Sequence, residues 1–401
     1  MNSIASLALA LSLVPIAVYV GLPALSDLWA LGVSLREPQS GKLPEPKSLP
    51  RLLFLVPAHN EKLLIDRCVH SLFAQAYPRE ALSIVVIADN CSDETSALAL
   101  AAGARVLERS TSVDHGKSHA IRWALKELTD DFDAMVIIDA DSVVDPDFAR
   151  MLAMTPGLRT VAVQAYDGLN NEFENALTRL AGVLTRARYH VALRIKSAAR
   201  LSCPLTGNGI AVGREVLERF GWSPQTVTEG WELYVSLTLA GVHCVYCPGA
   251  RVEAQETREL GQSQSQRARW AAGRMHVLRL YGREILRAPG IGVLQRLDLL
   301  AELSSPGPIV RAGITFVGIA ACVLLKPVGY RLLLFLFSSG VVQPALYVGI
   351  VMPTNPQPFR ALAAFAYLPV YAVWRLGVAV QALIQGGGNV WVRTDRRVDG
   401  G

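Results

Sequence analysis

The sequence predicts an α/β domain on a mixed, mostly parallel sheet, carried by N- and C-terminal transmembrane helices. Three observations lead there. Between residues 51 and 141 short apolar runs alternate with stretches of helical spacing, as in parallel strands joined by crossover helices. The stretch 4–24, IASLALALSLVPIAVYVGLPA, carries no charge and is long enough to span a bilayer. The 401-residue chain is 51% hydrophobic, with a mean hydropathy of +0.30, which is high for a water-soluble enzyme.

Residues 1–35 read as a membrane anchor. A cleaved signal peptide wants a basic start, and the first Lys or Arg is Arg36, so the anchor is expected to stay. Arg36, Lys42, Lys47 and Arg51 follow it, and the positive-inside rule then places the next domain in the cytoplasm. Residues 37–50 are Pro-rich and polar, a linker. The expected strands are RLLFLV (51–56), LSIVVIA (82–88), ARVLE (104–108) and AMVIID (134–139), with helical spacing over 61–75. The polar motifs PAHNE, ADNCSDET and DADS sit at carboxyl ends of strands, where such sheets bind ligands. This domain is expected over 50–285.

Beyond 290 the pattern changes. Residues 293–304 read as an amphipathic helix, and 307–325, 331–352 and 360–384 as long apolar stretches that contain Arg311 and Arg375. Three full spans within 290–390 would put the basic tail 391–401 outside the cell, whereas its arginines ask to be inside. One stretch is therefore expected to be interfacial or re-entrant.

A net charge of +5, with no basic run interleaved with aromatics, gives no support to nucleic-acid binding. The six cysteines are scattered. Cys244 and Cys247 form a lone CxxC beside His243, where a zinc site would want a second pair, so they read as residues of a short strand at 242–248. No disulfide framework is implied, which suits a reducing compartment.

Several motifs carry chemistry. In 57-PAHNE-61, Pro57 closes a strand, and Asn60 with Glu61 suits either a helix start or a binding loop. Asp89 follows a buried run directly, so its carboxylate needs a partner. Asn90, Ser92 and Asp93 favour turns. Lys117 follows Gly116 at a helix start, a natural place for a pyrophosphate. On an ideal strand Asp139 and Asp141 share one face, and two hard carboxylates facing a diphosphate suit Mg2+ or Mn2+. Asp145 and Asp147 read as turn and cap residues. The loop 206-TGNG-209 allows close backbone approach. In 266-QRARW-270 an amide, guanidinia and an indole can serve sugar and diphosphate, or, with Arg274 and Arg279, a basic interfacial helix.

In this order, PAHNE, ADNCSDET, DHGKSHA (114–120), DAD (139–141), TGNG, TEGWEL (228–233) and QRARW resemble the membrane-bound family 2 glycosyltransferases, over about residues 50–275. The apolar C-terminal segments and WVRT tail are similar to the cellulose-, chitin- and poly-N-acetylglucosamine-synthase-like branch. The resemblance implies a GT-A nucleotide-sugar fold. It implies that Pro57, Ala58, His59 and Glu61 cradle base and ribose, that Asp89 meets the uracil ring, and that Lys117 and Asp139 serve the nucleotide sugar. Asp141 is the implied ligand of Mg2+ or Mn2+. Gly207, Asn208, Gln266, Arg269 and Trp270 are implied at the acceptor and diphosphate.

One position departs from the pattern. Relatives carry Asp, the catalytic base, where this chain has Gly230. Three readings stand: Glu229 takes over as base, Glu232 reaches in from the next turn, or the chain keeps binding without an efficient base. The expected function is inverting transfer of a sugar, UDP-linked by expectation, to a polysaccharide or glycolipid acceptor at the inner membrane. Membrane lipid and subunits of a polysaccharide assembly system are the expected further partners. The alternative is a catalytically weak subunit that binds nucleotide or glycan and supports a partner enzyme.

Overall fold

A computed structural model describes residues 3–35, 48–305 and 307–384. The residues Arg36, Lys42 and Lys47, most of the expected linker, and the tail 391–401 lie outside the described residues. The chain opens with α1 (Ser3–Ser34). It then builds β1 (Leu52–Ala58), α2 (Ile65–Phe73), β2 (Leu82–Asp89), α3 (Thr95–Ala101), β3 (Arg105–Arg109), α4 (Lys117–Glu127) and β4 (Ala134–Ile137). These four strands are parallel and lie in the order β3-β2-β1-β4, as the alternation predicts. Leu52 to Val56 are buried, as befits a strand covered on both faces. β3 ends the sheet and carries Arg105 and Arg109, charges that blunt an open edge.

Two boundaries differ from expectation. β1 runs on through Pro57 to Ala58. α2 starts at Ile65, not 61, because Asn60 adopts φ +55° and the amides of Leu64 and Ile65 first turn back onto the Glu61 carbonyl.

The second half of the sheet is mixed. The chain continues through β5 (Ser142–Val144), α5 (Phe148–Ala153) and β6 (Ala162–Leu169), then leaves for α6 (Ala176–Arg186) and α7 (Arg194–Ala198). It returns as β7 (Ile210–Gly213), α8 (Arg214–Phe220), α9 (Glu229–Leu239) and β8 (Cys244–Ala254). β7 runs antiparallel to β4 and β6, β8 parallel to β6, and β5 antiparallel to β8. The described strands form one eight-stranded sheet, β3-β2-β1-β4-β7-β6-β8-β5. Cys244 and Cys247 are buried on β8, and burial pushes the Cys244 thiol up to about 12.

The helices α10 (Leu260–Arg287), α11 (Val293–Ser304), α12 (Pro308–Leu325), α13 (Tyr330–Val351), α14 (Pro358–Ala364) and α15 (Leu368–Ile384) complete the chain. The domain expected at 50–285 is divided: 173–200 and 258–287 belong with these helices and α1, while 201–257 belongs with the sheet. The reason is an apolar face. Val183, Ala187, Val191 and Ile195 pack with Ala30, Tyr347 and Val351.

Ser3–Ser34, Tyr330–Thr354 and Pro358–Val378 are long and apolar enough to cross a membrane, and Val310–Leu325 is a shorter apolar helix. α12 and α13 pack antiparallel: a Cβ on Gly318 would strike the Phe337 ring, and one on Gly340 the Thr315 hydroxyl. α1 runs parallel to α13. At one end the Val328 amide donates to Ser6 Oγ (3.1 Å), and at the other Gln343 Nε2 donates to Asp27 Oδ2 (3.0 Å). In the third C-terminal stretch a 3-10 turn at Phe365–Tyr367 joins α14 to α15, and Pro358–Val378 runs on as one helical stretch.

A charge cluster ties this unit together. Lys196 Nζ lies 2.5 Å from Asp298 Oδ1, 2.7 Å from Glu302 Oε1 and 3.7 Å from Asp27 Oδ1, and Arg188 stands 3.5 Å from Glu302. Lys196 and Asp298 are fully buried.

Candidate active site

Side by side, β1, β2 and β4 end at PAHNE, ADNCSDET and DAD. At the β1–β2 end, His59 Nδ1 lies 2.7 Å from the Asp89 carbonyl, which fixes that ring nitrogen as the donor because a carbonyl only accepts. Asn60 does not cap a helix. Its Oδ1 accepts from the Ser92 amide at 2.8 Å and joins the two loops. Asp93 accepts from the Thr95 amide and hydroxyl. Partial burial would raise its carboxyl, yet these hydrogen bonds outweigh it and hold the group below the usual range, a capping role.

The partner that Asp89 needs is Arg109, at the end of β3. Arg109 Nη1 donates to Asp89 Oδ1 at 2.8 Å with both side chains nearly buried, and Nη2 donates to the Asp114 carbonyl at 2.8 Å. Sequence reasoning missed Arg109. Its signal was an arginine directly after the expected strand ARVLE.

Lys117 is the first residue of α4, after Gly116 at φ +108°. Its Nζ donates to Asp139 Oδ1 (2.5 Å) and the Gly207 carbonyl (2.6 Å), and pairs with Glu229 Oε1 (3.2 Å). Burial alone would lower the Lys117 ammonium, but the Asp139 and Glu229 carboxylates outweigh it and hold it above the ordinary lysine value. Four predicted residues thus meet at one ammonium.

The DAD carboxylates do not meet through strand pleating. β4 ends at Ile137, so Asp139 and Asp141 lie in the turn before β5. That turn is held by Asn208, whose Oδ1 accepts from the Asp139 amide (3.0 Å) and whose Nδ2 donates to Ser142 Oγ (3.1 Å) and Asp167 Oδ1 (3.0 Å). Asn208 therefore positions the turn with both amide atoms. Gln164 holds the glycine loop: its Nε2 donates to the Asn208 carbonyl (2.9 Å) and its Oε1 accepts from the Thr206 amide (2.8 Å). Gln164 was also missed, although a lone amide within the run AVQAY was its signal.

Among the described residues no three His, Cys, Asp or Glu side chains gather to hold a metal, so a hard divalent cation here would rest on one protein carboxylate and the donor's diphosphate. Asp139 is engaged by Lys117, whereas Asp141, which accepts from Ser142 Oγ at 3.1 Å, lines a surface pocket with Arg67 and Asn170. A carboxylate with diphosphate oxygens and water is a usual set for Mg2+ or Mn2+.

Gly230 explains itself sterically. α9 begins at Glu229, and the glycine loop lies on its first turn. A Cβ at 230 would fall 2.6 Å from the Gly207 amide nitrogen and 2.8 Å from the Leu205 carbonyl oxygen, both backbone atoms. No side chain fits there. Nor does Glu232 reach in. Its Oε2 accepts from the amides of Gln225 (2.8 Å) and Thr226 (2.7 Å), pinning the loop before α9. Glu229 is the carboxylate of this stretch that meets Lys117.

Gln266, Arg269 and Trp270 lie on α10 of the helical unit, with Trp270 exposed and the other two half-buried.

The family model described as glycosyltransferase-like family 2 matches residues 50–273. The chain is 26% identical over 243 residues to a probable glycosyltransferase, YdaM, of Bacillus subtilis (strain 168), covering 58% of this chain and 57% of that protein. It is 29% identical over 265 residues to a beta-monoglucosyldiacylglycerol synthase of Trichormus variabilis, covering 63% of this chain and 55% of the relative. The match thus spans little more than half the length of these relatives. Among solved structures, the mannosyltransferase PcManGT of Pyrobaculum calidifontis, in complex with GDP-Man and Mn2+, is similar at TM-score 0.62 and 20% identity, over 95% of this chain and 98% of that one. With more than half of its length matched by the family model, and with the GT-A sheet that model implies, the chain belongs to glycosyltransferase family 2.

Proposed function

We propose that the chain transfers a sugar, with inversion, from a nucleotide-diphosphate sugar to a lipid or glycan acceptor at a membrane, with Glu229 as base. The observation that carries this reading is the single ammonium of Lys117 between Asp139, the Gly207 carbonyl and Glu229. A sugar hydroxyl is a poor nucleophile at neutral pH. As its oxygen bonds to the anomeric carbon, the bond from that carbon to the diphosphate breaks, and the hydroxyl proton passes to Glu229. Lys117 faces the charge that leaves with the nucleotide diphosphate. When bound at Asp141, a divalent cation supplies further charge neutralisation there. Asp89, held by Arg109, accepts from a ring N–H of the base. Uracil offers one such group, N3–H, and guanine offers N1–H beside an exocyclic amino group, so UDP and GDP donors are the pair to compare.

The complex of PcManGT with GDP-Man and Mn2+ supports the donor class and the cation. The beta-monoglucosyldiacylglycerol synthase supports a lipid acceptor. The basic residues Arg36, Lys42, Lys47 and Arg51 after the first apolar helix support an inner-membrane protein with its catalytic unit in the cytoplasm.

The test is transfer by the purified chain from UDP-glucose, UDP-N-acetylglucosamine and GDP-mannose to diacylglycerol or oligosaccharide, with Mn2+. Glu229→Gln is expected to lower turnover by ~10²-fold or more while donor binding persists. Unchanged turnover in that variant removes Glu229 from the role. Donor binding by the wild type without any transfer supports the binding-subunit reading instead.

A further inference from the structure

We propose that the corner between α10 and α11 is a docking surface for anionic phospholipid headgroups of the membrane that holds the chain. The proposal rests on the reading of α1, α12 and α13 as membrane helices. α10 carries six arginines and a single acid, Glu284. Three of the arginines, Arg279, Arg283 and Arg287, recur every fourth residue, so they stack along one face, and all three are exposed. Leu280 and Leu286 are exposed beside them. Past the turn at 288–292, α11 begins with exposed Val293 and Leu294, the former at 69% exposure.

The corner is built rather than frayed. Arg296 Nη1 donates to the Leu286 carbonyl (2.8 Å), and Nη2 donates to the Ala288 carbonyl (2.7 Å), closing the last turn of α10 onto α11. On the opposite side of the helix, Val277 and Ile285 are fully buried. Cations flanked by exposed leucine and valine suit the boundary between headgroups and acyl chains, with apolar side chains entering and guanidinia meeting phosphate. Connectivity agrees. α11 ends at Ser304, whose carbonyl accepts from Tyr19 Oη of the apolar helix α1 (2.6 Å), and α12 follows at Pro308.

The experiment is native mass spectrometry of the full-length chain in neutral detergent, titrated with phosphatidylglycerol or phosphatidylcholine. The expected result is retention of phosphatidylglycerol about tenfold better, as the summed attraction of several arginines to an anionic surface requires. The triple variant Arg279→Gln, Arg283→Gln, Arg287→Gln is expected to bring the two lipids level. Equal retention by the wild type, or a preference that survives the triple variant, overturns the proposal. Displacement of phosphatidylglycerol by millimolar inorganic phosphate overturns the bilayer as the source of the headgroup. Transfer is measured on the same samples without added phospholipid, so failure of the sugar-transfer reading and failure of this one are separate results.

Discussion

Gly230 faces backbone rather than a flexible side chain, so substitution there forces the loop at 205–209 to move. Gly230→Ala is expected to lower stability by about 1–3 kcal/mol, the range for overpacking a tight site. Gly230→Asp should lower transfer as well, instead of restoring a base. Thermal melting of both variants beside their turnover checks this, and a gain of activity in Gly230→Asp refutes it. Lys117 gives a pH prediction. Its folded value is raised above the ordinary 10.5, so its stabilising pairs are complete below that value and fade only as pH rises through the higher folded one. Lys117→Met should therefore lower the melting temperature by the same margin at pH 6 and pH 9. A margin that shrinks across that window contradicts the assignment. The sequence marked Lys117, Asp139 and Glu229 as separate candidates from their local motifs, not as one ion-paired group. It could not foretell that Asn208 faces the DAD turn or that Arg109 holds Asp89. Those contacts join residues 69 and 20 positions apart, through sheet pairing that no local pattern encodes.

At the scale of elements, β1, β2 and β4 were legible because each is a continuous apolar run, and the edge strand β3 because Val106 and Leu107 follow a helical stretch in the same alternation. β5 and β7, of three and four residues, were not, since their pairing decides them and their composition does not. Likewise, the domain expected over 50–285 takes in α6 and α7, because no local pattern tells which unit covers their apolar face. The ion cluster at Lys196 is a buried polar tie between helices of that unit. Lys196→Met leaves the buried carboxylates of Asp298 and Glu302 without their shared cation. It is expected to cost about 3–5 kcal/mol, seen as a large drop in melting temperature in detergent. Adding Asp298→Asn and Glu302→Gln should recover much of the loss. No recovery would mean that the charges are not what the lysine offsets.

At the scale of the whole molecule, helix directions turn the expected orientation in the membrane into a test. Because α13 is parallel to α1 and antiparallel to α12, Val328 lies level with the start of α1, and Thr354 lies toward its other end. A cysteine at Val328 should react with a membrane-impermeant maleimide on intact cells, and one at Thr354 only after lysis. The reverse pattern would invert the chain in the membrane. Metal removal acts on the whole reaction. EDTA is expected to abolish transfer and Mn2+ to restore it, and Asp141→Asn should raise the half-saturating Mn2+ concentration about tenfold or more. Full activity in EDTA would remove the cation from the site.

The backbone-to-backbone contact between Gly207 and Gly230 also limits the routes by which this site can change. A carboxylate at 230 needs space that the 205–209 loop fills, and that loop in turn fixes the Asp139 turn through Asn208 and accepts the Lys117 hydrogen bond at the Gly207 carbonyl. A single exchange at 230 therefore disturbs the donor end before it can serve the acceptor end. The pair of glycines works as an interlock: the two backbones fill the space between them, so a side chain at 230 and the present position of the 205–209 loop exclude one another.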